Sequence, residues 1–148
     1  MVAPIMDAIM RHPQLWNAIS EPQQIVMRAV PEFRDTEAAR ILPAIKKVAL
    51  DAMAMFGASQ LGALMVQKVD PGKRAVFKAA HKGDPFAQYR FMLHGGHPHI
   101  DPSFLCGDEG VNMEPGELWW VDSSVPSAVN NLTSDSIVHV IFHLRHDT

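Results

Sequence analysis

Hydrophobic positions in the first third of the chain repeat at helical spacing. The clearest case is an apolar stripe at intervals of three and four residues, formed by Ile45, Val48, Ala49, Ala52, Met53 and Phe56. Pro43 suits the first position of this helix, where its missing N–H leaves no bond unmade, and Gly57 suits the C-cap. Shorter helical segments are predicted for residues 4–10 and 21–30 and from Thr36 onward.

After Gly57 the pattern changes to short apolar segments separated by turns such as Asp70-Pro71-Gly72. Strands are predicted for residues 61–69, 75–80, 88–94, 103–106, 110–113, 118–121, 128–131 and 137–144. Short strands at close spacing are typical of a sandwich or barrel. Without a repeat or linker, we expect one α+β domain over residues 1–148, with a helical part at 1–57 and a β-barrel at 58–148.

Composition narrows the function classes. The chain is 47% hydrophobic and 20% charged, with a net charge of −3, which offers no basic surface for nucleic acid or an anionic membrane. No apolar run reaches the roughly 20 residues of a membrane span. Cys106 is the only cysteine, so an internal disulfide and a thiolate zinc site are excluded. We expect a cytoplasmic protein without nucleic-acid or membrane partners.

Several motifs in the second half of the chain carry a family resemblance. They are Cys106-Gly107-Asp108-Glu109, the run Met-Glu-Pro-Gly-Glu-Leu-Trp-Trp at 113–120, Val129-Asn130-Asn131 and Val138-His139-Val140-Ile141. Residues 61–145 thereby resemble the aspartyl/asparaginyl β-hydroxylases, which are iron(II)- and 2-oxoglutarate-dependent oxygenases. The resemblance implies helices packed on a double-stranded β-helix, a jelly-roll or cupin-like barrel. Small family members occur in bacteria and bacteriophages, so a phage origin, with the host cytoplasm or the virion as location, is compatible with it.

The positions that carry the family's chemistry are replaced in this chain. The family needs histidine ligands for iron(II) and an arginine for the 2-oxoglutarate carboxylate. The resemblance places the distal ligand at Ser127, the arginine at Ile137 and a further histidine at Met92, while the proximal ligand falls near His81. This joint replacement predicts a non-catalytic binding or structural module with a protein partner and no cofactor. Homo-oligomerisation is compatible with the sequence.

An active hydroxylase with relocated ligands is the alternative. Its metal ligands would be His99, Asp101 and His139 or His143, with Arg90 or Arg145 for 2-oxoglutarate. Against it, two glycines and two prolines indicate that residues 94–102 form a solvated loop, and an iron site needs rigid support. Such a histidine-rich loop could still bind zinc or nickel adventitiously.

A small-ligand-binding cupin is the third hypothesis, with Arg90, His139, Trp120 and Ser127 as candidate binding residues. By period-two alternation His139 and His143 share a strand face that looks into the barrel in the family, and we expect His139 to be a hydrogen-bonded interior histidine.

The remaining candidate side chains have structural interpretations. Arg90 is interpreted either as a ligand for an acidic group or as a member of an ordinary salt bridge. Trp119 and Trp120 alternate faces, so we expect one in the barrel and the other under the helices. Cys106 is expected to be a structural thiol.

Overall fold

Three helices precede most of the strands. A computed structural model of the chain describes residues 2–17, 22–29, 32–95 and 102–146. The helices are α1 (Val2–Met10), α2 (Glu37–Ile41) and α3 (Pro43–Phe56). As predicted, α3 begins at Pro43 and ends at Gly57, which adopts the left-handed conformation with φ of 67° that glycine tolerates best.

Ten strands of the described residues form two antiparallel sheets. In spatial order the larger sheet contains β2 (Arg34–Asp35), β1 (Gln23–Ala29), β3 (Gln60–Val69), β10 (Ile137–Arg145), β5 (Phe86–His94) and β8 (Leu118–Val121). The smaller sheet contains β4 (Arg74–Phe77), β9 (Ser127–Asn130), β6 (Phe104–Cys106) and β7 (Glu109–Val111). The fold is therefore α+β, with helices on a cupin-like jelly roll, as the sequence predicted.

The large sheet separates two hydrophobic cores. On one face, alternate residues such as Val140 and Phe142 of β10 pack with Ile45 and Ala49 of α3. On the other face, Ile137 of β10 packs with residues of the small sheet. This division follows from the strand period of two, because successive side chains point to opposite faces.

The helix predicted for residues 21–30 is wrong, since Gln23–Ala29 is strand β1. This strand pairs with β3 on one edge and β2 on the other. Its buried residues Ile25 and Met27 alternate with exposed Val26, which is the period of a half-buried strand. The part of the chain before residue 58 is consequently mixed rather than helical.

Asn131 joins three parts of the barrel. Its fully buried side chain donates hydrogen bonds to the carbonyl oxygens of Val69 and Asp135, both at 2.8 Å. Its Oδ1 accepts bonds from the N–H and the hydroxyl of Thr133. One amide therefore ties the end of β3 to the turn between β9 and β10.

None of the helices in the described part of the chain is long and apolar enough to cross a membrane.

Asn131→Ala is expected to lower the free energy of unfolding by about 2–3 kcal/mol, because it leaves buried carbonyls without donors. Urea unfolding checks this value. Asn130→Ala is the matched control, since Asn130 is only half-buried, and we expect it to cost less than about 1 kcal/mol. Equal losses in the two variants would contradict the role of the Asn131 amide.

Candidate functional site

The interior between the two sheets is lined by a polar cluster set among apolar side chains. On the large sheet, β5 contributes Arg90, β10 contributes His139 and β3 contributes Gln67. Gln67 and His139 are directly opposite each other on paired strands, so they share one face. We refer to Gln67, Arg90 and His139 as the barrel cluster.

The Arg90 guanidinium lies between two aromatic rings of the small sheet. Its Cζ is 4.6 Å from the ring centroid of Phe77 on β4 and 4.9 Å from that of Phe104 on β6. Its Nη1 donates to Nδ1 of His139 at 3.0 Å, and its Nε donates to Oε1 of Gln88 at 3.3 Å. These contacts hold a side chain that is only 1% exposed.

Arg90 has no carboxylate partner among the described residues, whose ion pairs all involve other side chains. Burial lowers the pKa of Arg90 to about 9. The group is thus still a cation at neutral pH. Two of its five N–H groups donate to Gln88 and His139, and the other three find no acceptor within the described ranges.

His139 is held neutral by its surroundings. Burial lowers its pKa well below the ordinary 6.5, and the positive charge of Arg90 lowers it further. Its Nδ1 accepts from Arg90, so in a neutral imidazole the proton lies on Nε2. His139 is therefore a hydrogen-bonded interior histidine that faces the barrel.

Gln67 supplies a buried polar atom without a partner. Its Oε1 is the one side-chain oxygen or nitrogen in the described ranges that is completely enclosed and makes no hydrogen bond. The gap that Gln67 lines with Arg90 and His139 leaves no space for a water molecule. The barrel cluster is thus closely packed but incompletely satisfied.

A pocket of about 190 Å³ lies beside the barrel cluster. We call it the Phe104–Trp119 pocket. Its lining residues are Phe104, Cys106, Glu109, Val111, Met113, Trp119, Trp120, Val121 and Asp122. The ring of Phe104 that contacts Arg90 also forms part of the pocket wall.

Two further residues connect this pocket with Arg90. Trp119 is the cross-strand partner of Arg90, which puts both side chains on the interior face. Cys106 lines the pocket and shares a strand face with Phe104, whose ring contacts Arg90. Arg90 therefore lies directly behind the inner wall of the Phe104–Trp119 pocket.

The three positions at which the resemblance replaces catalytic residues all lie within the barrel. Met92 and Ile137 belong to its hydrophobic core and are almost completely buried. Ser127 is 8% exposed and shares a strand face with the core residue Val129. Ser127 is also paired with Phe77 on one side and Cys106 on the other.

The side chains of the described residues do not fit an iron site. No three His, Cys, Asp or Glu residues of the described part are grouped so that they could hold a metal ion. Nδ1 of His139 is taken by Arg90, and the guanidinium would repel a divalent cation. His143 contacts Gln88 at 3.5 Å, and burial lowers its pKa. His81 lies exposed outside the barrel.

The proposed alternative ligands His99 and Asp101 lie outside the described residues, as does most of the loop at 94–102. Arg145, the alternative cosubstrate ligand, is exposed at the end of β10.

Trp120 does not lie under the helices, where one of the two tryptophans was expected. It is 61% exposed at the rim of the Phe104–Trp119 pocket, on the edge strand β8, and the described residues leave most of its side chain uncovered. Trp119 packs against the barrel core, as expected for one of the pair.

Sequence reasoning missed three residues of the site: Phe77, Phe104 and Gln67. The two rings come from strands of the opposite sheet, and no local pattern connects them with Arg90. A signal for Gln67 did exist, because a glutamine two residues before the inward-facing Val69 places a polar group on the apolar face of the strand.

Comparisons with known proteins identify the fold. No protein-family model and no curated protein sequence matches the chain. The structure is similar to a prolyl-4-hydroxylase from Pseudomonas putida (TM-score 0.58, 14% identity, 99% of this chain and 86% of that one). It is also similar to the viral collagen prolyl hydroxylase of Paramecium bursaria Chlorella virus-1 in its 2-oxoglutarate complex (TM-score 0.58, 11% identity, 99% and 90%).

A third similar structure is KdgF from Halomonas sp. (TM-score 0.51, 14% identity, 92% and 91%). At these identities the similarity establishes a cupin-like jelly-roll fold, and membership of the aspartyl/asparaginyl β-hydroxylase family stays a prediction.

Acidification is predicted to destabilise the fold through His139. Below the ordinary pKa of 6.5 the unfolded chain protonates this imidazole, whereas the folded chain does not. Stability is thus fully present above that pKa and is lost as the pH falls. We expect His139 alone to lower the free energy of unfolding by about 1.4 kcal/mol between about pH 7.5 and 5.5.

Urea unfolding of the wild type and of His139→Asn at both pH values tests this expectation. Asparagine keeps an acceptor for Arg90 but does not titrate, so the variant should lose this part of the pH dependence. His81→Asn is the control, because His81 is exposed. An unchanged pH dependence in His139→Asn would show that another group is responsible.

Proposed function

We propose that this protein is a non-catalytic binding module built on an oxygenase-like jelly roll. The observation that carries the proposal is the guanidinium of Arg90 at the centre of the barrel, packed between Phe77 and Phe104 and bonded to His139. The resemblance to the aspartyl/asparaginyl β-hydroxylases is part of this proposal, as a family whose barrel is kept while its catalytic residues are replaced.

Electrostatics support a binding role over iron chemistry. A metal at the barrel centre would face a fixed positive charge in a medium of low dielectric constant, where like charges repel strongly. The imidazole best placed to ligate it already accepts a hydrogen bond through Nδ1. Met92 and Ile137 supply no metal-binding nitrogen or oxygen from their side chains.

Packing supports the same conclusion. The gap within the barrel cluster does not admit a water molecule, so a metal and a cosubstrate would require several core side chains to move. Such movement is costly in a closely packed interior. The fold itself does not distinguish catalysis from binding, because one architecture serves many functions. A protein partner, homo-oligomerisation, a phage origin and a cytoplasmic location stay predictions from the sequence.

Assays with iron(II) and 2-oxoglutarate test the proposal. Protein prepared anaerobically with both is expected to show no visible charge-transfer band and to release succinate only at the rate of a protein-free blank. A prolyl hydroxylase assayed in parallel provides the positive control. The variants His99→Ala and Asp101→Ala should behave like the wild type.

Turnover above the blank that disappears in His99→Ala and Asp101→Ala would overturn the proposal. It would instead support the alternative of an active hydroxylase whose ligands are relocated to the loop at 94–102.

A further inference from the structure

Residues 102–136, which contain strands β6 to β9, form an acidic segment of the chain. They include no lysine, arginine or histidine. Their acidic residues are Asp108, Glu109, Glu114, Glu117, Asp122 and Asp135. Since the whole chain has a net charge of only −3, the remaining residues are together positive. The surface formed by this segment therefore attracts cations rather than anions.

The Phe104–Trp119 pocket is built entirely from the acidic segment, because all of its lining residues lie between positions 104 and 122. Two of them, Glu109 and Asp122, bring carboxylates, and none brings a positive charge. Glu109 forms no ion pair with a described residue. Asp122 accepts two hydrogen bonds from Ser124 through Oδ1, and its Oδ2 has no partner among the described residues. The pocket lining therefore does not balance its own negative charge.

Aromatic rings form much of the remaining pocket wall, where Phe104, Trp119 and Trp120 are joined by apolar side chains such as Met113. The π face of an aromatic ring carries partial negative charge and attracts a cation, most strongly in tryptophan. Trp120 is 61% exposed at the rim, so its ring is open to a molecule that enters from solvent. Rings and carboxylates thus favour the same sign of charge in a ligand.

Arg90 is the cation closest to this pocket in the description given above, and it does not line the pocket. Its guanidinium lies 4.9 Å from the ring centroid of Phe104, which is itself part of the pocket wall. The carboxylates of Glu109 and Asp122 border the pocket directly. Because Coulomb energy falls with distance, these two negative charges outweigh the arginine behind the wall.

The lining also distinguishes between kinds of cation. A primary ammonium group has three N–H donors that need acceptors, and the apolar part of the wall supplies none. A trimethylammonium group has no N–H, so its methyl groups can pack on Met113 and the rings while its charge meets the π faces. The pocket volume of about 190 Å³ compares with about 30 Å³ for a water molecule in the liquid. This space is sufficient for a trimethylammonium group with a short arm.

We propose that the Phe104–Trp119 pocket binds a small quaternary ammonium compound. Its methyl groups pack on Trp119 and Trp120, its charge is balanced by Glu109 and Asp122, and its arm extends toward the open rim. This inference goes beyond the proposed function, because no residue of the barrel cluster lines the pocket.

Choline and its neutral isostere 3,3-dimethylbutan-1-ol separate the effect of charge from that of shape. A carbon replaces the nitrogen in the isostere, so both molecules fill the pocket but only choline enters it as a cation. In calorimetric titrations at constant ionic strength we expect choline to bind with a dissociation constant of about 1 mM or tighter. It should bind about ten-fold more tightly than the isostere. Equal affinities, or no saturation by about 20 mM choline, would overturn the proposal.

Ethanolamine tests the preference for a methylated cation. It carries the same charge as choline but keeps its N–H groups, and we expect it to bind about five-fold more weakly. Ethanolamine that binds as tightly as choline would contradict the assignment to a quaternary ammonium group.

Variants of Trp120 test the role of the exposed ring, and its exposure makes them compatible with folding. Trp120→Leu keeps an apolar side chain without a π face, so the preference for choline over the neutral isostere should fall about five-fold. Trp120→Phe keeps a π face and should retain more of that preference. An unchanged preference in Trp120→Leu would show that this ring does not contact the cation.

Neutral variants of the two carboxylates test the charge of the lining. Glu109→Gln and Asp122→Asn should each weaken choline binding about three-fold and leave the isostere unaffected. Glu32→Gln is the matched control, because Glu32 is an exposed residue just before β2, at the opposite edge of the large sheet. An equal loss in Glu32→Gln would show that net charge, rather than the pocket lining, attracts choline.

The choline titration and the turnover assay have separate consequences. Turnover with iron(II) and 2-oxoglutarate would remove the non-catalytic role and leave the pocket assignment to the titration. Failure of choline to bind would remove the pocket assignment alone.

Discussion

The desolvated guanidinium of Arg90 is the constraint on which the centre of this barrel depends. Cation–π contacts with two rings contribute about 0.5–2 kcal/mol each, and a hydrogen bond to a charged group contributes about 1.5–3 kcal/mol. Together these contacts offset a desolvation cost of several kcal/mol. No carboxylate of the described residues is paired with Arg90. The described groups that contact Arg90 are all compatible with its positive charge: they are two aromatic rings, an amide oxygen and an imidazole that stays unprotonated.

The state of His139 follows directly from this arrangement. Protonation would place two positive charges 3.0 Å apart, from Nη1 of Arg90 to Nδ1 of His139, within a dry interior. Since burial and Arg90 both lower its pKa, the imidazole acts as an acceptor on Nδ1 and carries its proton on Nε2. A histidine fixed in this tautomer helps to orient the guanidinium, and its accepting nitrogen is no longer available to a metal.

Local patterns predicted much of the fold but not the contacts that make the site. Pro43, Gly57 and the 3-4 stripe between them located α3, and alternation along β10 put His139 on the barrel face. The helix predicted for residues 21–30 is instead strand β1 over Gln23–Ala29, although glutamine, methionine, arginine and alanine in this segment are good helix formers. Pairing with β3 overrides that propensity, and only the alternation of Ile25 and Met27 signalled a strand.

The aromatic rings around Arg90 illustrate a different limit. Phe77 and Phe104 come from two strands on either side of β9, and they meet Arg90 only because the small sheet folds over the large one. No spacing in the sequence indicates that these two rings contact Arg90. The sequence therefore favoured neither of the two interpretations of Arg90, an ordinary salt bridge or a ligand for an acidic group. Among the described residues the structure gives Arg90 no salt bridge.

A barrel organised around an arginine has a narrower chemistry than one organised around a metal. A guanidinium attracts an anion, fixes the plane of its carboxylate and does so over the whole physiological pH range. It has no coordination position to exchange and no accessible redox state, so it can orient an acid but cannot activate oxygen.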